Sequence, residues 1–170
     1  LGISVRENLE MADGFFDHSK ENKMKVIEMI RKYRPSIVLA NAVHDRHPDH
    51  GKAAKLISES CFLSGLTKVQ TQINGVQQKA WRPDTVYNYI QDRRIKADFI
   101  VDISEFIEKR MEAIRAFSSQ FYNPESSEPV TAISTKQFME LLVSRSMEYG
   151  RQAGFEYGEG FTVERPVGVD

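Results

Sequence analysis

The sequence is poor in cysteine, in long apolar runs and in net charge. Cys61 is the only cysteine among 170 residues, which excludes an intramolecular disulfide and a cysteine-based zinc cluster. A reducing cytoplasm fits this usage and is the expected location. Cys61 sits in the apolar run Ile57 to Leu66, with nothing nearby to lower its pKa, so it reads as a buried, inert thiol. No apolar stretch reaches the length of a membrane span and no signal peptide is visible, so no membrane partner is expected. The 23 Lys+Arg against 24 Asp+Glu leave a formal charge of −1, without the basic excess that nucleic acid or acidic membranes attract. Internal repeats are absent too. What is present, 41% hydrophobic and 28% charged residues, is the ordinary composition of a globular chain with a real core. A single domain over residues 1–170, undivided by any linker, is expected.

Helices and strands alternate along the chain. Ser4 can cap a short helix, Val5 to Met11, which Asp13-Gly14 breaks. Lys20 to Tyr33 places Val26, Ile27, Ile30 and Tyr33 on one helical face, and Pro35 ends it. Ser36 to Ala40 is a short continuous apolar run that predicts a strand buried on both faces. Gly51 to Leu63 reads as a helix, Val69 to Ile73 as extended, and Thr85 to Ile90 and Phe99 to Ile103 as strands, the last ending in a cap at Ser104. Phe106, Ile107, Met111, Ile114 and Phe117 form a helical stripe that core packing explains. Asn123 to Pro129 is a polar loop, Gln137 to Ala153 a final helix, and the tail from Gly154 is loop with a short strand.

The chemistry concentrates between the apolar run and the helix that follows, in His44-Asp45-Arg46-His47-Pro48-Asp49-His50. In open α/β folds ligands bind at that end of a strand. His47 and His50 are three residues apart, so on a first helical turn they share a face, and Pro48 suits the first helical position. Both imidazoles could bind one metal, or one the metal and the other a substrate. Zinc accepts imidazole nitrogen and carboxylate oxygen. Asp49 could orient an imidazole from behind, and Arg46 offers a cationic fork for a carboxylate or phosphate. His18, the remaining histidine, lies in a polar stretch and reads as structural.

Asp45-Arg46-His47-Pro48-Asp49-His50-Gly51-Lys52-Ala53-Ala54 resembles the second motif of the PIG-L/LmbE-like deacetylases, which remove acetyl groups from N-acetylglucosaminyl conjugates. The stretches Cys61 to Leu66, Trp81-Arg82-Pro83, Val101 to Ser104, Ser119-Gln120-Phe121 and Tyr157 to Phe161 resemble the branch that acts on N-acetylglucosaminyl-malate in bacillithiol biosynthesis. The resemblance implies an α/β, Rossmann-like three-layer (α/β/α) fold with a mostly parallel sheet. It implies Zn2+ as cofactor, His50 as a metal ligand, His47 as the donor to the oxyanion and Asp49 as the acid paired with it. It also implies Arg46 at the malate carboxylate, with Tyr157 and Gln120 as weaker candidates near a small sugar conjugate. A homo-oligomer is expected, since relatives in the family form hexamers. The alternatives are a deacetylase for another N-acetylglucosamine conjugate and a non-catalytic interaction module.

One departure is definite. The family's first motif, Ala-His-Pro-Asp-Asp, which supplies the other two zinc ligands and the general base, does not occur among these residues, and the sequence opens on Leu1 rather than Met. The expectation is a chain that lacks the first strand of the fold and is itself inactive. Such a chain exposes a strand edge and apolar surface. It should be poorly soluble on its own, and a cooperative, monomeric melt of the isolated 170 residues would count against this.

Overall fold

Ser19 starts the first helix: its hydroxyl accepts from the Asn22 backbone N–H at 3.3 Å, and α1 runs Lys20–Tyr33. Arg34, left-handed at φ 48°, closes it just before Pro35. This computed structural model describes residues 2–168, and its contacts cluster into two compact units. One unit comprises Phe99–Gly160 with the residues up to Arg6, and the other Glu7–Asp98 with those from Phe161 on. The chain passes between the units three times, between Arg6 and Glu7, between Asp98 and Phe99, and inside a strand between Gly160 and Phe161.

The larger unit holds α1, β1 (Ile37–Ala40), α2 (Pro48–Ser64), a two-stranded ribbon of β2 (Gln72–Ile73) and β3 (Val76–Gln77), β4 (Thr85–Tyr89) and the second half of β6 (Gly158–Val163). β1 lies parallel to β4, with Ile37 opposite Thr85 and Ala40 opposite Asn88. β6 runs antiparallel to β4, with Tyr89 opposite Phe161, so the sheet is mixed. α1 packs along α2, and α2 packs on β1 and β4. Ile27, Ile30, Ala54, Leu56 and Cys61 form the core between them.

One buried cation braces this unit. Arg31, 4% exposed, donates from Nε to the Ser64 carbonyl at 3.0 Å, from Nη1 to the Val69 carbonyl at 2.7 Å and Thr71 Oγ1 at 2.8 Å, and from Nη2 to the Leu66 carbonyl at 2.9 Å. It fastens α1 to the C-terminal end of α2, where the helix dipole favours positive charge. Only a guanidinium has donors enough, in a fixed fork, for four separate acceptors.

The smaller unit holds β5 (Phe99–Asp102), a 3₁₀ turn (Ser104–Phe106), α3 (Ile107–Arg115), α4 (Lys136–Ala153) and the first half of β6. Ile103, Ile107, Met111, Leu142 and Tyr149 are its buried residues. α4 and β6 approach closely: a Cβ on Gly158 would lie 2.8 Å from the Gly150 nitrogen and 2.6 Å from Ile100 Cγ2.

The mixed α/β class is the expected one, with four α-helices among the described residues. Several local expectations are corrected. Val5 to Met11 forms no helix: the Asn8 carboxamide turns back to the Glu10 N–H at 3.0 Å and Glu10 is left-handed at φ 52°. A helix that short needs tertiary packing to form. β1 is not buried on both faces, for Ile37 and Leu39 are 55% and 57% exposed. Extended structure at 69–73 shrinks to β2, set by Asn74-Gly75, both at positive φ as a tight hairpin turn requires. Ser104 caps no helix; its hydroxyl bonds Asp102 Oδ1 at 2.6 Å. Phe106 and Phe117 leave the predicted stripe and are 56% and 60% exposed, because the helix proper starts only at Ile107 and ends at Arg115. No helix among the described residues is long and apolar enough to cross a membrane.

Cys61 is buried as expected, and burial, helped by the nearby charge of Glu164, pushes its thiol up to about 11. At pH 8 the thiol is neutral and should label only when α2 opens. Arg31→Ala should cost about 3 kcal/mol or more by stranding buried acceptors, and should speed Cys61 alkylation. A urea titration and the labelling rate check both effects.

Candidate active site

β1 and β4 are parallel neighbours, so both strands end on the same side of the unit. The chain leaves β1 through Asn41 to His47 and enters α2 at Pro48; it leaves β4 through Ile90 to Arg93. These two connections meet, and Asp45 joins them. Its side chain is 1% exposed. Oδ1 accepts from the backbone N–H groups of Asp92 at 3.0 Å and Arg93 at 2.7 Å, and Oδ2 takes the Nδ1–H of His50. Burial alone would raise the Asp45 pKa. Hydrogen bonds from the Arg93 N–H, the His50 ring and the Arg46 N–H outweigh it and hold the carboxyl below the ordinary range.

The network fixes both histidine tautomers. His47 is the N-cap of α2, and its Nδ1 accepts from the Asp49 N–H at 3.3 Å. Nε2 of His47 must then carry the proton, as an outward donor. His50 is the reverse. Its Nδ1 faces a carboxylate, which can only accept. Its Nε2 lies 3.3 Å from the side-chain nitrogen of Gln91. The other end of that carboxamide accepts from the Ala42 N–H at 3.2 Å and Asn41 Nδ2 at 3.3 Å, so the end at His50 is the NH₂ donor. His50 therefore presents a lone pair at Nε2. The two rings sit 5.2 Å apart between centroids, tilted by 33°.

Asp49, buried in the first turn of α2, accepts at Oδ2 from the Gly14 N–H at 2.5 Å, while Lys52 Nζ lies 3.5 Å from Oδ1 and bonds the Gly14 carbonyl at 3.1 Å. The 12–16 turn is thereby strapped over the helix start. His18 has the structural part expected of it, meeting the Lys52 carbonyl at 2.9 Å. The strap brings Asp13 to His47 and Asp49, and ligand atoms of the three lie within 4.8 Å of one another, a group that could hold a metal ion.

His50 fits a zinc ion: a neutral imidazole with an unprotonated Nε2 and its other nitrogen bonded to a buried carboxylate is the usual form of a metal-binding histidine. The carboxylates of Asp13 and Asp49 gather at His47 instead, and oxygen donors suit the same ion.

The chain is similar to diacetylchitobiose deacetylase. That enzyme of Thermococcus kodakarensis is 28% identical over 165 residues, 94% of this chain and 57% of the relative. The fold matches the crystal structure of a conserved protein from Thermus thermophilus at TM-score 0.84 and 28% identity, over 99% of this chain and 70% of that one. It matches N,N'-diacetylchitobiose deacetylase from Pyrococcus horikoshii, solved with its inhibitor, at TM-score 0.68 and 26% identity, over 91% of this chain and 55% of that one. The chain thus spans a little over half the length of these two deacetylases. No family model matches it.

Of the residues singled out from the sequence, the structure gathers Arg46, His47, Asp49 and His50 at one helix start. Arg46 Nε is 2.9 Å from Asp92, so part of its fork is already met by a carboxylate of the protein. Tyr157 and Gln120 belong to the smaller unit. Tyr157 is half-buried, with its backbone N–H on Ser104 Oγ at 3.1 Å, and Gln120 lies exposed in the turn after α3. Sequence reasoning left Asp45, Gln91 and Asp13 without roles. Asp45 lay inside the motif, but its partnership with His50 crosses a turn and follows no helical spacing. Gln91 could have been sought just past the neighbouring parallel strand.

Asp45→Asn puts an amide NH₂ where only acceptors fit. It should cost about 1–3 kcal/mol and release His50 from its tautomer, measurable by denaturation and by imidazole ¹⁵N shifts. Because the folded pKa of Asp45 is depressed, its contribution is full above the ordinary carboxylate range. It is lost as pH falls below about 4, and urea titrations of the wild type at falling pH should show stability dropping there.

Proposed function

We propose that the protein containing this chain is a zinc-dependent hydrolase that removes the acetyl group of an N-acetylglucosamine conjugate. The observation that carries the reading is the opposed tautomers of two adjacent histidines, one offering a lone pair and the other a proton. Zinc, when bound, would polarise the acetyl carbonyl and lower the pKa of a water. His50 would bind it through Nε2, with Asp45 behind the ring. His47 Nε2–H would donate to the carbonyl oxygen as negative charge develops there, where a prealigned donor lowers the barrier most. Asp49, its carboxylate within 4.8 Å of the His47 ring, would stabilise that imidazole when charged and keep the 12–16 strap closed. A catalytic zinc takes three protein ligands. We place the remaining ligands and the base that takes the water's proton in the family's first motif, outside these 170 residues.

The resemblance of the motifs favours N-acetylglucosaminyl-malate as substrate, with Arg46 at the malate. A second reading, a neutral chitobiose-type substrate, is favoured by the similarity to two diacetylchitobiose deacetylases and by the Asp92 partner of Arg46. Deacetylation assays of the intact protein with both compounds decide between them. His50→Ala should abolish bound zinc and activity together. His47→Ala should keep the zinc and lose about 10²–10³ in rate. Full activity in His50→Ala would overturn the assignment.

A further inference from the structure

The nitrogen that we assign to zinc is already in use. Gln91 Nε2 lies 3.3 Å from His50 Nε2 and can approach it only as a donor, because its oxygen is spent on the Ala42 N–H and the Asn41 amide. Asn41 is itself tied into the fold: its carbonyl accepts at 2.7 Å from the side chain of Asn88, which is 1% exposed in the middle of β4. The carboxamide is therefore held from behind, with its NH₂ end at the histidine.

We propose that Gln91 is the placeholder for the metal: a positioning residue whose NH₂ group caps the His50 lone pair until a cation replaces it. The inference rests on the assignment of the metal to His50. Asp45 fixes which nitrogen is protonated, and Gln91 acts on the other one. A neutral amide donor suits the post. It satisfies a half-buried acceptor that would otherwise be stranded, and it holds that acceptor far less strongly than a zinc ion does. A cation and an NH₂ group cannot share one lone pair, so metal entry must turn the carboxamide away. Affinity is then the difference between two competitors for Nε2, and a chain without the amide should bind metal more tightly.

The test is NMR of the intact, metal-free protein, labelled with ¹⁵N. A two-bond nitrogen–nitrogen coupling should link the Gln91 side chain to His50 Nε2, and stoichiometric zinc should abolish it while shifting both sets of signals. Gln91→Leu should bind zinc roughly threefold to tenfold more tightly in a chelator competition, the worth of one neutral hydrogen bond. Gln91→Met, closer in length to glutamine, removes the donor without adding a charge; it should also bind more tightly, and it covers the case in which Gln91→Leu misfolds. Zinc that shifts His50 but leaves the coupling in place overturns the placeholder and spares the metal assignment. Weaker or unchanged binding in both variants does the same. Zinc that leaves His50 unmoved overturns both.

Discussion

The carboxylate of Asp45 is the buried charge around which the candidate site is arranged. The segment between β1 and α2 and the segment after β4 have no regular structure of their own. Among the contacts that join them, this one buried side chain accepts three donors, two from backbone and one from an imidazole. A charge this deep is tolerable only when fully hydrogen-bonded. That requirement dictates where residues 92 and 93 run and which way His50 faces. The same constraint reaches Gln91, which is next in the chain, and through it the end of β1. The chemistry of His50 thus depends on a group that would touch neither substrate nor metal.

The helix start adds a second layer. His47 spends one nitrogen on capping α2, a structural task, and the expenditure itself leaves the other nitrogen a donor. Asp49 sits in the first turn, where the helix dipole favours a carboxylate, and spends its oxygens on the strap that carries Asp13. Structure and chemistry use the same atoms here, so substitutions at these positions act on both.

Much of this was legible in the sequence, for identifiable reasons. α1, α2 and α4 could be read because each has an apolar stripe long enough to show its period, with a cap or proline at an end. The position of the histidine segment, past a strand and entering a helix, followed from the apolar run and Pro48. The failures were of two kinds. Phe106, Phe117, Ile37 and Leu39 are apolar in sequence and exposed in the structure; periodicity reports what a residue would pack against, not whether a neighbour is there. Asp45, Gln91 and Asp13 act through contacts between segments 35 to 50 residues apart or across a turn, and no spacing rule encodes such pairings. Gly158, quoted as part of a motif, turns out to be required by the close approach of α4 and β6.

Two buried charges of the larger unit, Asp45 and Arg31, differ in what they ask of their surroundings. Asp45 is a titrating anion beneath the histidines. Arg31 is a cation whose four partners are all neutral, three carbonyls and a hydroxyl, and a guanidinium keeps its proton at any pH a cell meets. Acid therefore acts on the two fastenings differently: protonation weakens the one beneath His50, and the one between α1 and α2 keeps its charge.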